Sequence, residues 1–184
     1  MTVDQAHDEL LVLRSQDGDV GALDELVGRW QERFLRTAFR LTGEREAARD
    51  AVQEAWLAIV RGLGRLDDPA RFGPWAFRIV RNKAIDWVRR RGRRRQRDRE
   101  LAAERERHVE LGGRKDSTER GRRLADALAL LPREQQALLA LFYEEGFRIG
   151  EIAEILEVPA GTVKSRLYRA RNQLKQAIEG ERDE

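Results

Sequence analysis

The 184-residue chain holds 36 Lys or Arg, 33 Asp or Glu, two His and no Cys, so disulfide frameworks, thiolate metal sites and cysteine nucleophiles are excluded together. Its length allows one ordinary domain or two small ones. The opening MTVDQAHDEL has neither a basic n-region nor a long apolar core, and no apolar run approaches the roughly 20 residues of a membrane span. A soluble, cytoplasmic protein is expected. His7 and His108 lie far apart with no metal-ligand spacing, so neither a metal nor another cofactor is expected.

A formal net charge of +3 hides a strong asymmetry. Residues 1–60 carry seven Arg against twelve acids, residues 78–97 carry ten Lys or Arg against the single Asp86, and residues 161–175 carry five cations and no acid. One acidic region and two basic patches imply two kinds of partner, the basic patches facing a polyanion.

Helical periodicity dominates residues 9–89. Leu23, Leu26, Val27, Trp30, Phe34 and Ala38 recur at spacings of three and four and line one side of a helix. GDVGALDEL reads as its start, with Asp19 or a neighbour at the cap. A break at LTGE, residues 41–44, leads into REAARDAVQEAWLAIV, whose inward stripe is Ala48, Val52, Ala55, Trp56 and Ile59. Residues 61–73 are punctuated by Gly62, Gly64, Pro69 and Gly73 and read as a turn-rich loop. A third long helix runs from Pro74 to Arg91, with Pro74 in its first turn. Its apolar side is Trp75, Ala76, Ile79, Val80, Ala84 and Trp87. All four tryptophans fall in this half, as core anchors of a small three- or four-helix domain over residues 9–92.

Residues 93–118 are charged and nearly devoid of large apolar side chains, too poor to fold alone. They are expected to form a charged flexible linker reaching at most about 90 Å. A second domain over residues 119–180 opens with LADALALLP, a helix stopped by Pro132. REQQALLALFYEEG follows, ending at Gly146, its apolar residues, Phe142 and Tyr143 included, reading mostly as core. Then come IGEIAEIL, a tight turn at EVPA, and a last helix. Brief joints of this kind suit a helix-turn-helix unit. No stretch alternates like a strand, so the expected fold class is all-α, two small helical domains joined by the linker.

In VPAGTVKSRLYRARNQL, residues 158–174, Val163, Leu167, Ala170 and Leu174 fall in one narrow arc at about 100° per residue and can seal against Ile152, Leu156 and Val158. Ser165, Arg169 and Asn172 point away, flanked by Lys164 and Arg171 on one side and by Thr162 and Arg166 on the other. Such a helix can enter the major groove of DNA. A solvated amphipathic helix is the plainer alternative, but an ordinary solvated face mixes signs and this one is cationic only.

On the helix over residues 46–60, Asp50, Gln53, Glu54 and Leu57 lie opposite the apolar stripe. Two carboxylates at i and i+4 suggest acid–base or metal chemistry. No His, third carboxylate or Gly-rich phosphate loop joins them, so no catalytic site is assembled and an enzyme is not expected. Leu57 in a polar cluster instead suits a protein-binding face, an apolar anchor in a charged rim. On the third helix Arg78, Arg81, Asn82 and Arg89 lie mainly away from the apolar side, with Ile85 among them. Cations for phosphates, an amide for a base edge and apolar surface for unstacked bases suit single-stranded DNA. Trp75 and Trp87 read as core residues ahead of stacking platforms.

GTVKSRLYRAR, preceded by EIAEILEVPA and LPREQQALLALFYEEGF, resembles the region-four domain of bacterial RNA polymerase sigma factors, in the extracytoplasmic-function (ECF) group of the sigma-70 family. EREAARDAVQEAWLAIV and RFGPWAFRIVRNKAIDWVRRR are similar to the region-two domain of the same family. The two matches cover about residues 10–92 and 120–178. The resemblance implies a subunit that binds core RNA polymerase and directs promoter-specific initiation. Asp50, Gln53, Glu54 and Leu57 would contact the clamp helices of the beta-prime subunit, although Ala51 stands where many relatives have Leu. Arg78, Arg81, Asn82 and Arg89, with the loop at residues 63–73, would recognise the −10 element and a flipped base of the non-template strand. Thr162, Lys164, Ser165, Arg166 and Arg169 would recognise the −35 element, Lys164 and Arg169 either reading bases or holding phosphates. The beta flap and an anti-sigma factor are further partners of the class. A stand-alone helix-turn-helix regulator is the alternative; it leaves the DAVQEAW face and the Arg78–Asn82 surface without a task.

Overall fold

The computed structural model describes residues 3–99 and 119–180, and side chains over 4–93 and 121–178. These residues divide into an N-terminal and a C-terminal compact unit, and no strand occurs among them. The N-terminal unit contains α1 (Val3–Gln16), α2 (Val20–Thr42), α3 (Arg45–Leu63), a 3-10 turn (Pro69–Arg71) and α4 (Phe72–Arg99). The C-terminal unit contains α5 (Glu119–Ala129), α6 (Arg133–Tyr143), α7 (Ile149–Leu156) and α8 (Ala160–Gly180). Of the linker read at residues 93–118, the first part continues α4 to Arg99, and residues 100–118 lie outside the described residues.

The start of α2 follows from one side chain. Asp19 is extended (φ −72°, ψ 103°) and its carboxylate accepts the N–H of Ala22, satisfying a donor with no helical partner. That bond first, and the Arg14 guanidinium at 2.6 Å second, hold the Asp19 carboxyl below the usual carboxylate range. The break at LTGE is equally local: Gly43 takes φ 74° and its N–H returns to Phe39 O at 2.8 Å, a left-handed closure that favours glycine.

Packing in this unit is aromatic. α2 buries Ala22, Leu26, Trp30, Phe34 and Ala38 against Ala48, Val52, Ala55 and Ile59 of α3 and Phe72, Ala76, Phe77, Val80 and Ala84 of α4. Phe34 sits at the centre, with ring centroids 5.7 Å from Trp30, 5.2 Å from Trp56 and 5.2 Å from Phe77. Phe77 meets Phe34 edge-on and the two tryptophans meet it tilted; such rings bury large area and add quadrupole attraction. Burying each such side chain contributes about 1.5–3 kcal/mol. Phe77 is fully buried while Trp75 and Trp87 are only half-buried, so the inward arc of α4 is rotated toward Phe77 from the one the tryptophans suggested. Trp75 instead lies on the end of α3, where a Cβ at Gly62 would stand 3.0 Å from its Cζ2. The guanidinium of Arg91 lies 5.1 Å from the ring centre of Trp87.

α1 is an element the periodicity did not separate. It buries Leu11 and Val12 while Leu10 and Leu13 are exposed; four consecutive apolar residues blur a 3.6-residue period. Polar contacts tie it to α2: Arg29 Nε donates to Asp8 at 2.6 Å, and His7 Nε2 lies 2.7 Å from Glu25. The Asp8 hydrogen bond raises the pKa of Arg29 further.

The C-terminal unit has a mainly aliphatic core, to which Phe147 adds one buried ring. Ala127, Leu131, Leu138, Leu139 and Leu141 pack with Ile152, Ile155, Val163, Leu167 and Ala170. Gly146, φ 73°, lets Phe147 N–H return to Leu141 O at 3.1 Å, and α6 ends three residues before that glycine. Tyr143 is 63% exposed and Phe142 half-buried, which corrects their reading as core residues. Arg171 covers them from α8, its guanidinium 5.1 Å and 5.4 Å from the two ring centres.

Candidate nucleic-acid and protein interfaces

Three surfaces carry the residues singled out by sequence. The first is the outer strip of α3. Asp50, Gln53 and Leu57 are exposed there, and Val60 one turn on continues the strip. Leu57 is 54% exposed, a large aliphatic side chain that the fold leaves uncovered. Glu54 is half-buried because it turns toward α4: its carboxylate lies 3.3 Å from Lys83 Nζ and 3.4 Å from Arg90 Nη2. A third bridge joins Glu44, at the start of α3, to Arg91. Carboxylates at Glu44 and Glu54 therefore partly neutralise the neighbouring cationic helix α4.

The second surface is the outer side of α4 with the loop before it. Arg78, Arg81 and Asn82 are half-buried and Arg89 is exposed. Arg81 Nη1 donates to Asn82 Oδ1 at 3.1 Å, which fixes the orientation of the amide beside a cation. In the loop, Arg65, Asp67, Asp68 and Arg71 are exposed. Asp68 caps the 3-10 turn, its carboxylate accepting Ala70 N–H at 3.0 Å. Gln16 enters here from α1, its amide donating to the carbonyls of Leu63 and Leu66. Neither Gln16 nor Lys83 was singled out by sequence. Their contacts span 47 and 29 positions, beyond any local period.

The third surface is α8. Val163, Leu167 and Ala170 are buried, while Lys164, Ser165, Arg166 and Arg169 are exposed and Thr162 is half-buried at the first turn. The joint before it is sharp. Glu157 adopts φ 55°, ψ 44°, Val158 N–H returns to Ala153 O at 3.0 Å, and Pro159 O accepts Thr162 N–H at 2.8 Å. A non-glycine residue in the left-handed region is uncommon, and here it reverses the chain between α7 and α8. Ser165 Oγ donates to Thr162 O at 3.0 Å and Arg169 Nε approaches Ser165 O at 3.4 Å, so both lie along the helix near its outer face. Arg171, held on Phe142 and Tyr143, belongs to the flank. A short helix, a tight turn and a second helix with an outward polar and cationic face form a helix-turn-helix suited to a groove.

Among the described residues no helix is long and apolar enough to cross a membrane.

The family model for Sigma-70 region 2 matches residues 26–94 and that for Sigma-70 region 4 matches residues 121–174. The chain is 31% identical to the RNA polymerase sigma-H factor of Pseudomonas aeruginosa, over 95% of this chain and 95% of that protein. It is 30% identical to the ECF RNA polymerase sigma-E factor of Haemophilus influenzae, over 96% and 97%. Among solved structures, the sigma factor RpoE of Bartonella quintana, in complex with the anti-sigma factor NepR, aligns with a TM-score of 0.68 and 25% identity over 87% of this chain and 98% of that one. CnrH, in complex with the cytosolic domain of CnrY, shares the fold with a TM-score of 0.65 and 23% identity, over 95% and 98%. With both regions in order and the relatives matched nearly end to end, the chain belongs to the sigma-70 family of RNA polymerase sigma factors, in its extracytoplasmic-function group.

Proposed function

We propose that this sigma factor acts as a detachable specificity subunit with a separate surface for each partner. Residues 9–92 form the unit that binds core polymerase and the −10 element, residues 93–118 tether it, and residues 119–180 form the −35 unit. Asp50, Gln53, Glu54 and Leu57 dock on the beta-prime clamp helices, with Leu57 as the apolar anchor. Arg78, Arg81, Asn82 and Arg89, with the loop at residues 63–73, hold the opened non-template strand. Thr162, Lys164, Ser165, Arg166 and Arg169 hold the −35 duplex, and part of the same unit meets the beta flap.

The observation that carries this reading is the placement of two cationic surfaces in two different units. Tethered sites bind together with a raised effective concentration, so a duplex and an opened strand can be held at once. The chain contributes no covalent chemistry. Opening is driven by tighter binding of the melted form than of the duplex, and phosphodiester synthesis belongs to the polymerase. The subunit works in the cytoplasm, on the nucleoid during transcription. An anti-sigma factor, the class of partner bound by the RpoE of Bartonella quintana, covers its polymerase-binding face.

The test is reconstitution. Core polymerase carrying the chain is offered a random promoter library, and the transcribed templates are sequenced. Enrichment of two short elements at one fixed spacing, with runoff transcripts only when the chain is present, is the expected result. The isolated chain should bind the same templates weakly. Failure to bind core enzyme, or binding without a defined start site, overturns the reading.

A further inference from the structure

Gln16 is the last residue of α1, and its side chain does something the rest of that helix does not. Its amide nitrogen donates to Leu63 O at 2.9 Å and to Leu66 O at 2.8 Å. A glutamine amide has two N–H donors, and two backbone carbonyls of one short segment receive them. Leu63 ends α3, where carbonyls lack helical partners. Leu66 lies in the first turn of the loop, its own N–H returning to Leu63 O at 3.0 Å. One side chain thus fastens a helix end and the loop that leaves it.

The rest of the loop is fixed from its far end. Asp68 accepts Ala70 N–H, Arg71 N–H returns to Asp68 O at 3.0 Å, and α1 packs along the resulting 3-10 turn. Between these two anchors the exposed side chains are those of Arg65, Asp67 and Asp68. A surface loop is ordinarily the mobile part of a domain, and ordering it on binding subtracts from affinity. Here the ordering is completed by folding, through a residue that belongs to another helix.

We propose that Gln16 is a positioning residue for capture of the opened −10 strand: it presets the loop at residues 63–71 without touching DNA itself. This rests on the assignment of that loop to the −10 strand made above. It gives α1 a role in promoter opening beyond its share of the core.

The experiment uses full-length chain in complex with core polymerase and a promoter selected by the wild-type complex. A 2-aminopurine in the non-template −10 segment reports unstacking. Affinity for the single-stranded −10 oligonucleotide, for core enzyme and for a duplex −35 fragment is measured in parallel. Gln16→Ala removes the clamp, and Gln16→Glu keeps the stem but sets a carboxylate against two carbonyl oxygens, which it cannot bond while ionised. Single-strand affinity should fall about tenfold for Ala and further for Glu, tenfold corresponding to ~1.4 kcal/mol. The 2-aminopurine signal should be reduced, with core and −35 affinities held within about twofold of wild type. Wild-type signal with both variants unchanged overturns the proposal. So does a parallel fall in all three affinities, which would make Gln16 a general support of the unit. Should wild type transcribe from the promoter yet give no 2-aminopurine signal, the assignment of the loop fails and the proposal with it, a result distinguished by appearing before any substitution.

Discussion

The two units solve the same problem, an outward cationic helix on a helical core, with different materials. The N-terminal unit buries Trp30, Phe34, Phe72 and Phe77, whereas the C-terminal unit packs mostly Leu, Ile, Val and Ala, with Phe147 its one buried aromatic among the described residues. Their charges also differ. In the N-terminal unit α4 is bridged to carboxylates of α3 and its cap by Glu54–Lys83, Glu54–Arg90 and Glu44–Arg91. On α8 the outer face is held by contacts local to the helix, Ser165 to Thr162 and Arg169 to Ser165. The comparison teaches that a surface can be cationic by sequence and still be partly engaged by its own protein. The first unit presents such a surface; the second presents one whose side chains bond only along their own helix.

The largest way to break the comparison is to remove the ring at the centre of the aromatic cluster. Phe34→Ala deletes a fully buried side chain touching three other rings, and a large-to-small change of that kind costs about 3–5 kcal/mol. Calorimetry of the full chain should show the N-terminal unit unfolding at lower temperature while the C-terminal unit keeps its transition. A single transition lowered as a whole would mean that the two units do not fold separately.

Next in size is reversal of charge on the α8 surface. Arg166→Glu with Arg169→Glu alters two exposed side chains away from the buried arc of α8, so circular dichroism and thermal stability should be retained. An arginine contact to a base edge is worth about 1–3 kcal/mol, and binding of the complex to a −35 fragment should fall at least about thirtyfold. If both act on phosphates, the slope of log affinity against log salt drops by about two. An unchanged slope with relaxed sequence preference would make them base readers.

Much of the helical layout was legible because local chemistry writes it. Asp19 at a cap, Gly43 in a left-handed turn and the Val163–Leu167–Ala170 arc are each decided within a few residues. The rotation of α4 toward Phe77 was not, because its tryptophans satisfy a helical stripe as well as Phe77 does; only packing against Trp30 and Phe34 chooses. The run Leu10–Leu13 hid α1 by offering apolar residues on every side. Exposure of Asp50, Gln53 and Leu57 was readable from phase alone, but the turn of Glu54 toward Lys83 and Arg90 depends on how α3 meets α4. Gln16 gave no local sign either, since a polar residue at a helix end is ordinary until a second helix end and a loop are brought beside it.

A moderate effect is expected at the exposed leucine of α3. Leu57→Ala removes the larger of the two exposed apolar side chains on the strip, leaving Val60, and truncation of a well-placed anchor costs about 2 kcal/mol or more in binding. Affinity for core polymerase should fall roughly thirtyfold, with the isolated chain as stable as wild type because the side chain is 54% exposed. Loss of stability in place of affinity would return Leu57 to a structural role within the first unit.

The smallest effect bears most directly on the contrast in charge. Glu54 lies within ion-pair distance of both Lys83 and Arg90, yet such partly exposed pairs are worth only about 0–1 kcal/mol each. Gln in its place keeps the shape and removes the charge that competes with phosphate for those two cations. The isolated Glu54→Gln chain should bind a single-stranded oligonucleotide about two- to fivefold more tightly than wild type at low salt, with the difference vanishing near 1 M salt as the Debye length shrinks to about 3 Å. If core polymerase also draws on this carboxylate, its affinity should fall, and added core should enhance single-strand binding less in the variant than in wild type. The same coupling must then be read from either side, as DNA strengthening core binding less in the variant, since linked equilibria are reciprocal. A variant with tighter DNA binding but unaltered coupling would show that Glu54 merely shields α4, and that the first unit is held in check by its own acid without being released by polymerase.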